Sequence, residues 1–236
     1  MKMTKNAKAL NDLLETMATL RSPAGCPWDA QQTPLSLTPY ILEEACELID
    51  AIESGDAAQI ETELGDLLLQ VVFLAQIFTE QKQFGFTEIA ESINAKLLRR
   101  HPHVFGDRRG MVTTTEDLDR QWEQIKKSEA KGEAQPKTFS CLLPKQLPAL
   151  QRAQKLVQKL TKAGLNVSLQ QVNSESQAEK GKEDVALQED AIGLALLRLV
   201  ITADNAGIDS ESALRRVISR IGSTPLPETD RSKKRC

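Results

Sequence analysis

Apolar residues recur along the chain at three- and four-residue intervals, the pattern of helices with one buried face. Over 6–21 these positions are Leu10, Leu13, Leu14, Met17 and Leu20, which predict a first helix. RSPAGCPWDAQQTPLS then breaks the pattern with prolines, a glycine and turn formers, and reads as a loop that carries Trp28. In LTPYILEEACELIDAI, Thr38 is the predicted N-cap, with Pro39 at the first helical position and Ile41, Ala45, Leu48 and Ile52 as the apolar stripe. ESGD at 53–56 ends that element. A longer helix is predicted from about Ala57 to Glu80 and another from about Thr87 to Arg100, with QFGF between them. The loop HPHVFGDRRGMVTTT leads to a further helix, EDLDRQWEQIKKSEAK. The pattern as a whole predicts an all-α fold.

The composition then shifts. Residues 131–147, rich in Lys, Gln, Ser and Pro, read as a linker between a first domain (1–130) and a second segment (148–224). Residues 166–188 are polar and read as a mobile loop, and the tail 225–236 as disordered. EDAIGLALLRLVITADNAGIDSESALRRVISR repeats, in faded form, the order of ETELGDLLLQVVFLAQ followed by FGFTEIAESINAKLLRR. With Gly193 laid on Gly65, Glu63 becomes Ala191 and Asp66 becomes Leu194, so the second copy keeps the apolar spacing and loses the acids.

Aromatic residues make up only 4% of the 236 residues, against 40% hydrophobic overall, which favours helix over sheet and suffices for a core. A net charge of −3 gives no broad attraction to nucleic acid or to an anionic membrane, so a polyanionic ligand must be held locally. Cys26, Cys46, Cys141 and Cys236 are far apart and form no CxxC, which fits a reducing, cytoplasmic setting better than zinc or disulfides. The N-terminal stretch alternates polar and apolar residues, and no run reaches 18 apolar residues, so neither export nor membrane insertion is expected.

The chemistry is concentrated in EEACELID and ELGD. Glu44 and Glu47 are three residues apart, as are Glu63 and Asp66, so each pair projects from one helical face. Glu63, Asp66 and Gln70 form a narrow polar strip on a helix that is apolar nearly all round. Clustered carboxylates in apolar surroundings repel one another, and a divalent cation removes that penalty. Hard oxygen ligands favour Mg²⁺, with Mn²⁺ as a substitute, and Mg²⁺ commonly shares its sphere with substrate phosphates. A di-iron bundle would need Glu-x-x-His pairs, but His101 and His103 sit in a loop-like segment. Helical glutamates more often form a solvated face, and Glu43 and Asp50 taken alone fit that reading equally well.

EEACE with ELGD resembles the EExxE and ExxD signature of MazG-type nucleoside triphosphate pyrophosphohydrolases. The likeness runs through GCPWDAQQT, ELGDLLLQVVFLAQ and KLLRRHPHVFGD to WEQIKKSE, about residues 10 to 130, and continues weakly to about 220 as a second, degenerate repeat. The resemblance implies an all-α, usually dimeric enzyme that uses Mg²⁺ to split nucleoside triphosphates into monophosphate and pyrophosphate. By motif position Glu44, Glu47, Glu63 and Asp66 would be the metal ligands, and Glu43 an accessory carboxylate near the attacking water.

A triphosphate also calls for cations. Lys96, Arg99 and Arg100 share a helical face and form a candidate phosphate-binding patch, though basic residues also commonly complement a helix C-terminus. Lys126 is a further candidate contact, and Trp28 either stacks on a base or caps the core. No GxSxG, no phosphate-binding glycine loop and no cysteine with a motif histidine is present, so the chemistry predicted is metal-centred attack by water on the α-phosphorus. The rival reading is a helical regulatory protein that binds a nucleotide or a partner without hydrolysis.

Overall fold

The computed structural model describes residues 4–106, 114–129, 138, 143–165 and 184–222. All regular elements among them are helices: α1 (Lys5–Leu20), α2 (Pro27–Gln31), α3 (Thr38–Ser54), α4 (Ala57–Glu80), α5 (Phe86–Arg100), α6 (Pro102–Phe105), α7 (Thr115–Glu129), α8 (Ala149–Lys162), α9 (Asp184–Asn205) and α10 (Ser210–Gly222). The chain divides into two compact units, Met1–Lys131 and Gly132–Cys236.

In the first unit α3 and α4 form a tight helical hairpin. Gly55, at φ +76°, ends α3 in the left-handed conformation that glycine adopts without penalty. Asp56 then caps α4, its Oδ1 accepting hydrogen bonds from the backbone N–H of Ala58 (2.9 Å) and Gln59 (3.4 Å). α1 crosses the same hairpin, and Met17, Leu37, Val72, Phe73 and Ile77 interlock as its buried core. By length and composition alone α4 could cross a membrane. Its packing against α1 and α3 and its strip of Glu63, Asp66 and Gln70 make it the central helix of this unit instead.

Three expectations change. Thr38 does not cap α3: its hydroxyl donates back to the Leu35 carbonyl (2.8 Å), and Leu37 occupies the cap position. Trp28 sits not in a loop but in α2, a five-residue helix started by Pro27. HPHVFG contains the single turn α6, whose last residue is Phe105.

The small helix α2 is fastened by Arg21. Its guanidinium donates to the carbonyls of Asp29 (2.5 Å) and Gln32 (3.3 Å), pairs with Glu80 (2.8 Å) and lies 5.4 Å from the Phe73 ring centroid. This pairing holds the Glu80 carboxyl below its ordinary range.

The second unit contains α8, α9 and α10. Leu143, Val157 and Val200 are buried, and Gln154 is the buried polar hub. Gln154 Nε2 donates to the Ile208 carbonyl (2.8 Å) and to Asp204 Oδ1 (3.2 Å), while its Oε1 accepts from the Ser210 N–H (2.9 Å) and hydroxyl (2.8 Å). Gly207, at φ +69°, makes the turn from α9 to α10. Residues 184–188, read from sequence as part of a loop, open α9. Most of 131–147, all of 166–183 and the tail 225–236 lie outside the described residues.

Candidate metal centre

The α3/α4 hairpin is antiparallel, so the two acid pairs meet face to face. One carboxylate oxygen from each of Glu44, Glu63 and Asp66 lies within 4.8 Å of the others, and all three side chains are half-buried. Glu47, exposed and one turn farther along α3, lies within reach of the Glu63 carboxyl. Glu43 is exposed beside Glu44.

The cluster is electrostatically unhappy by itself. Burial first, and then Asp66, Glu47, Glu43 and Glu63 in that order, push the Glu44 carboxyl above its ordinary value. Burial, Glu47 and Asp66 do the same to Glu63. The donor set fits a small hard cation: octahedral ligands about 2.1 Å from a Mg²⁺ ion stand roughly 3 to 4 Å apart, within the span these three oxygens occupy. No nitrogen or sulfur donor joins them in that set.

The basic residues lie in two separate settings. Arg99 and Arg100 both grip Glu129 of α7, at 2.7 Å and 2.5 Å, and their combined pull holds the Glu129 carboxyl at about 2. Arg100 also lies over the Trp122 ring, 5.9 Å from its centroid. Lys96 is exposed in a cleft of about 380 Å³ shared with Phe84, Glu88, Ile89, Ser92 and Ile93, none of them a predicted metal ligand. The side chain of Lys126 lies outside the described residues. Trp28 is 50% exposed and meets Tyr40 edge to face, with ring centroids 6.1 Å apart. His101 contacts the Leu97 carbonyl (2.7 Å) and His103 contacts Gln121 (3.2 Å), so both histidines serve the α5–α6–α7 corner.

The sequence reading did not select Glu129, and it had no signal to do so: the carboxylate lies 29 and 30 residues from its arginine partners and meets them only through tertiary packing. Tyr40 was equally invisible as a partner of Trp28.

Residues 32–105, spanning α3, α4 and α5, match the MazG nucleotide pyrophosphohydrolase domain. A nucleoside triphosphate pyrophosphohydrolase of Escherichia coli is 38% identical over 218 residues, covering 88% of this chain and 82% of its own. A nucleoside triphosphate pyrophosphohydrolase/pyrophosphatase MazG of Thermotoga maritima is 37% identical over 210 residues, 87% of this chain and 79% of its own. A nucleoside triphosphate pyrophosphohydrolase of Mycobacterium tuberculosis is 40% identical over 168 residues, 70% of this chain and 49% of its own. With acids converging from two helices, in the segment the domain match covers, and with this identity along most of its length, the chain belongs to the MazG family of nucleoside triphosphate pyrophosphohydrolases.

Proposed function

We infer that this protein hydrolyses nucleoside triphosphates to nucleoside monophosphate and pyrophosphate, with Mg²⁺ as the metal and Mn²⁺ as a substitute. The observation that carries the reading is the convergence of Glu44, Glu63 and Asp66 within 4.8 Å across two helices. Glu47 joins them as the fourth ligand, supported by its contact with Glu63. When bound, the metal lowers the pKa of water and offsets phosphate charge. The chain's residues do the rest. Glu44, Glu47, Glu63 and Asp66 fix the cation site. Glu43, or one of the ligands, accepts the proton of the water whose oxygen attacks the α-phosphorus, while the bond to the bridging oxygen breaks and pyrophosphate leaves. Arg99 and Arg100, paired with Glu129, present cationic surface to the leaving phosphates, together with Lys96 and Lys126. Trp28 offers an exposed ring for the base.

The protein acts as a homodimer in this reading. Leu64, Leu68 and Val71 of α4 are 52%, 39% and 38% exposed at i, i+4, i+7 spacing, beside Leu42 and Ile49 of α3 at 55% and 37%. So much apolar surface on the two helices that carry the acids suits burial against a second copy. The second unit retains the matching positions: Ile192, Leu196 and Leu199 are 62%, 47% and 66% exposed, although Ala191 and Leu194 replace the acids. Its role here is packing and not turnover. We place the protein in the cytoplasm, in keeping with the free thiols of Cys26 and Cys46.

The test is pyrophosphate release from a panel of triphosphates with Mg²⁺, beside Glu63→Gln. Release by the wild type that falls at least about a hundredfold in a folded variant supports the reading. No release from any triphosphate, with Mg²⁺ or Mn²⁺, overturns it.

A further inference from the structure

One face of α4 carries Glu63, Asp66, Gln70, Phe73 and Ile77 in turn, at i, i+3, i+7, i+10 and i+14. Its C-terminal half is the core, with Phe73 and Ile77 each 3% exposed, and its N-terminal half is the acid cluster. Gln70 stands at the boundary. It is 7% exposed, and among the described residues its Oε1 has no hydrogen-bond partner. Buried polar atoms in native structures are paired, so an orphan acceptor one helical turn from the acid cluster points to a donor that arrives from outside.

The hairpin register says where that donor lies. Glu47 stands beside Glu63 and Glu44 beside Asp66, so one further turn brings Gln70 level with Tyr40 and Ile41 at the start of α3. Tyr40 carries the edge-on Trp28, and both rings are partly exposed. Gln70 therefore stands one turn, about 6 Å of helical rise, beyond Asp66 on the side toward Tyr40. Phosphates belong at the acids and the flat nucleoside at the rings, which leaves Gln70 beneath the nucleoside.

We propose that Gln70 is the specificity-determining residue of this site: its side-chain carbonyl accepts one hydrogen bond from an N–H or O–H of the nucleoside and selects triphosphates that present that donor. This rests on the hydrolytic reading above. A buried acceptor aimed at a substrate donor discriminates strongly against analogues lacking it, because the unpaired oxygen and its lost partner both count.

The experiment measures kcat/KM for substrate pairs that differ by one donor group: GTP and ITP, ATP and purine riboside triphosphate, CTP and 2-pyrimidinone riboside triphosphate, and each ribonucleotide against its 2′-deoxy form. The expected result is a wild-type preference of about tenfold or more for the donor-bearing member of at least one pair. Gln70→Met, close in shape but without the acceptor, should collapse that ratio to near unity by lowering kcat/KM for the donor-bearing member. A base pair losing its ratio identifies an N–H donor, and the ribose pair an O–H donor. Equal loss across all substrates, or no wild-type discrimination in any pair, overturns the role of Gln70 while hydrolysis stands. Absence of hydrolysis from every substrate removes both readings. Should Gln70→Met not fold, Gln70→Leu and the wild-type ratios decide on the same criteria.

Discussion

Arg21 offers the sharpest test of how this fold holds its aromatic platform. Its side chain is 6% exposed, yet its partner Glu80 is 37% exposed. A conventional surface ion pair of that kind stabilises by less than about 1 kcal/mol. The rest of the environment is what makes Arg21 matter: two backbone carbonyls of the α2 segment, at 2.5 Å and 3.3 Å, and the Phe73 ring at 5.4 Å. Charge-assisted hydrogen bonds contribute about 1.5 kcal/mol each, and a cation over a largely desolvated ring about 1 kcal/mol. Discounted for water entering after truncation, Arg21→Ala should cost about 3 kcal/mol. Arg21→Lys retains the charge but cannot span two carbonyls and a carboxylate from one nitrogen, and should still cost about 1.5 kcal/mol. The assay is urea unfolding followed by tryptophan fluorescence. Trp28 and Trp122 are the chain's two tryptophans and both belong to the first unit, so the signal reports that unit alone. For a unit of this size 3 kcal/mol corresponds to roughly 10 °C in melting temperature. If Arg21→Lys unfolds within about 0.5 kcal/mol of wild type, charge alone fastens α2 and the forked geometry is irrelevant.

Other perturbations have equally definite outcomes. Glu129 has a folded pKa of about 2 against an ordinary 4.5, so its contribution is fully present above about 4.5 and is lost as pH falls toward 2. The melting-temperature gap between wild type and Glu129→Gln should accordingly narrow as pH is lowered through that window, and a gap that widens in acid contradicts the pairing. Gln154→Leu leaves the Ile208 carbonyl and the Ser210 N–H without their buried partner, and should destabilise the second unit by about 2 to 3 kcal/mol. Hydrogen exchange at the amides of α8 and α10 would show it, and unchanged protection there would count against the hub. Leu68→Glu places a charge in the exposed stripe of α4 and should convert a dimer to monomer in sedimentation, whereas an unaltered mass would exclude that stripe from the interface.

The sequence by itself determined what is local. Apolar spacing located α4 at about Ala57 to Glu80, because a long apolar period runs unbroken between the ESGD and QFGF breaks within one segment. It paired Glu44 with Glu47 and Glu63 with Asp66, each pair on one face of its own helix, because i, i+3 spacing fixes which side chains project together; only the packing of α3 against α4 brought Glu44, Glu63 and Asp66 to one point. Short elements escaped it: α2 and α6, of five and four residues, are too short to carry a period and exist because Arg21 and the α5–α7 corner hold them. Tertiary structure alone decided that Arg99 and Arg100 meet Glu129, that Trp28 meets Tyr40, and that Gln70 closes the core with an acceptor left over. Each of those depends on how helices far apart in the chain pack, and the free energy of such contacts resides in burial and geometry that no single segment encodes.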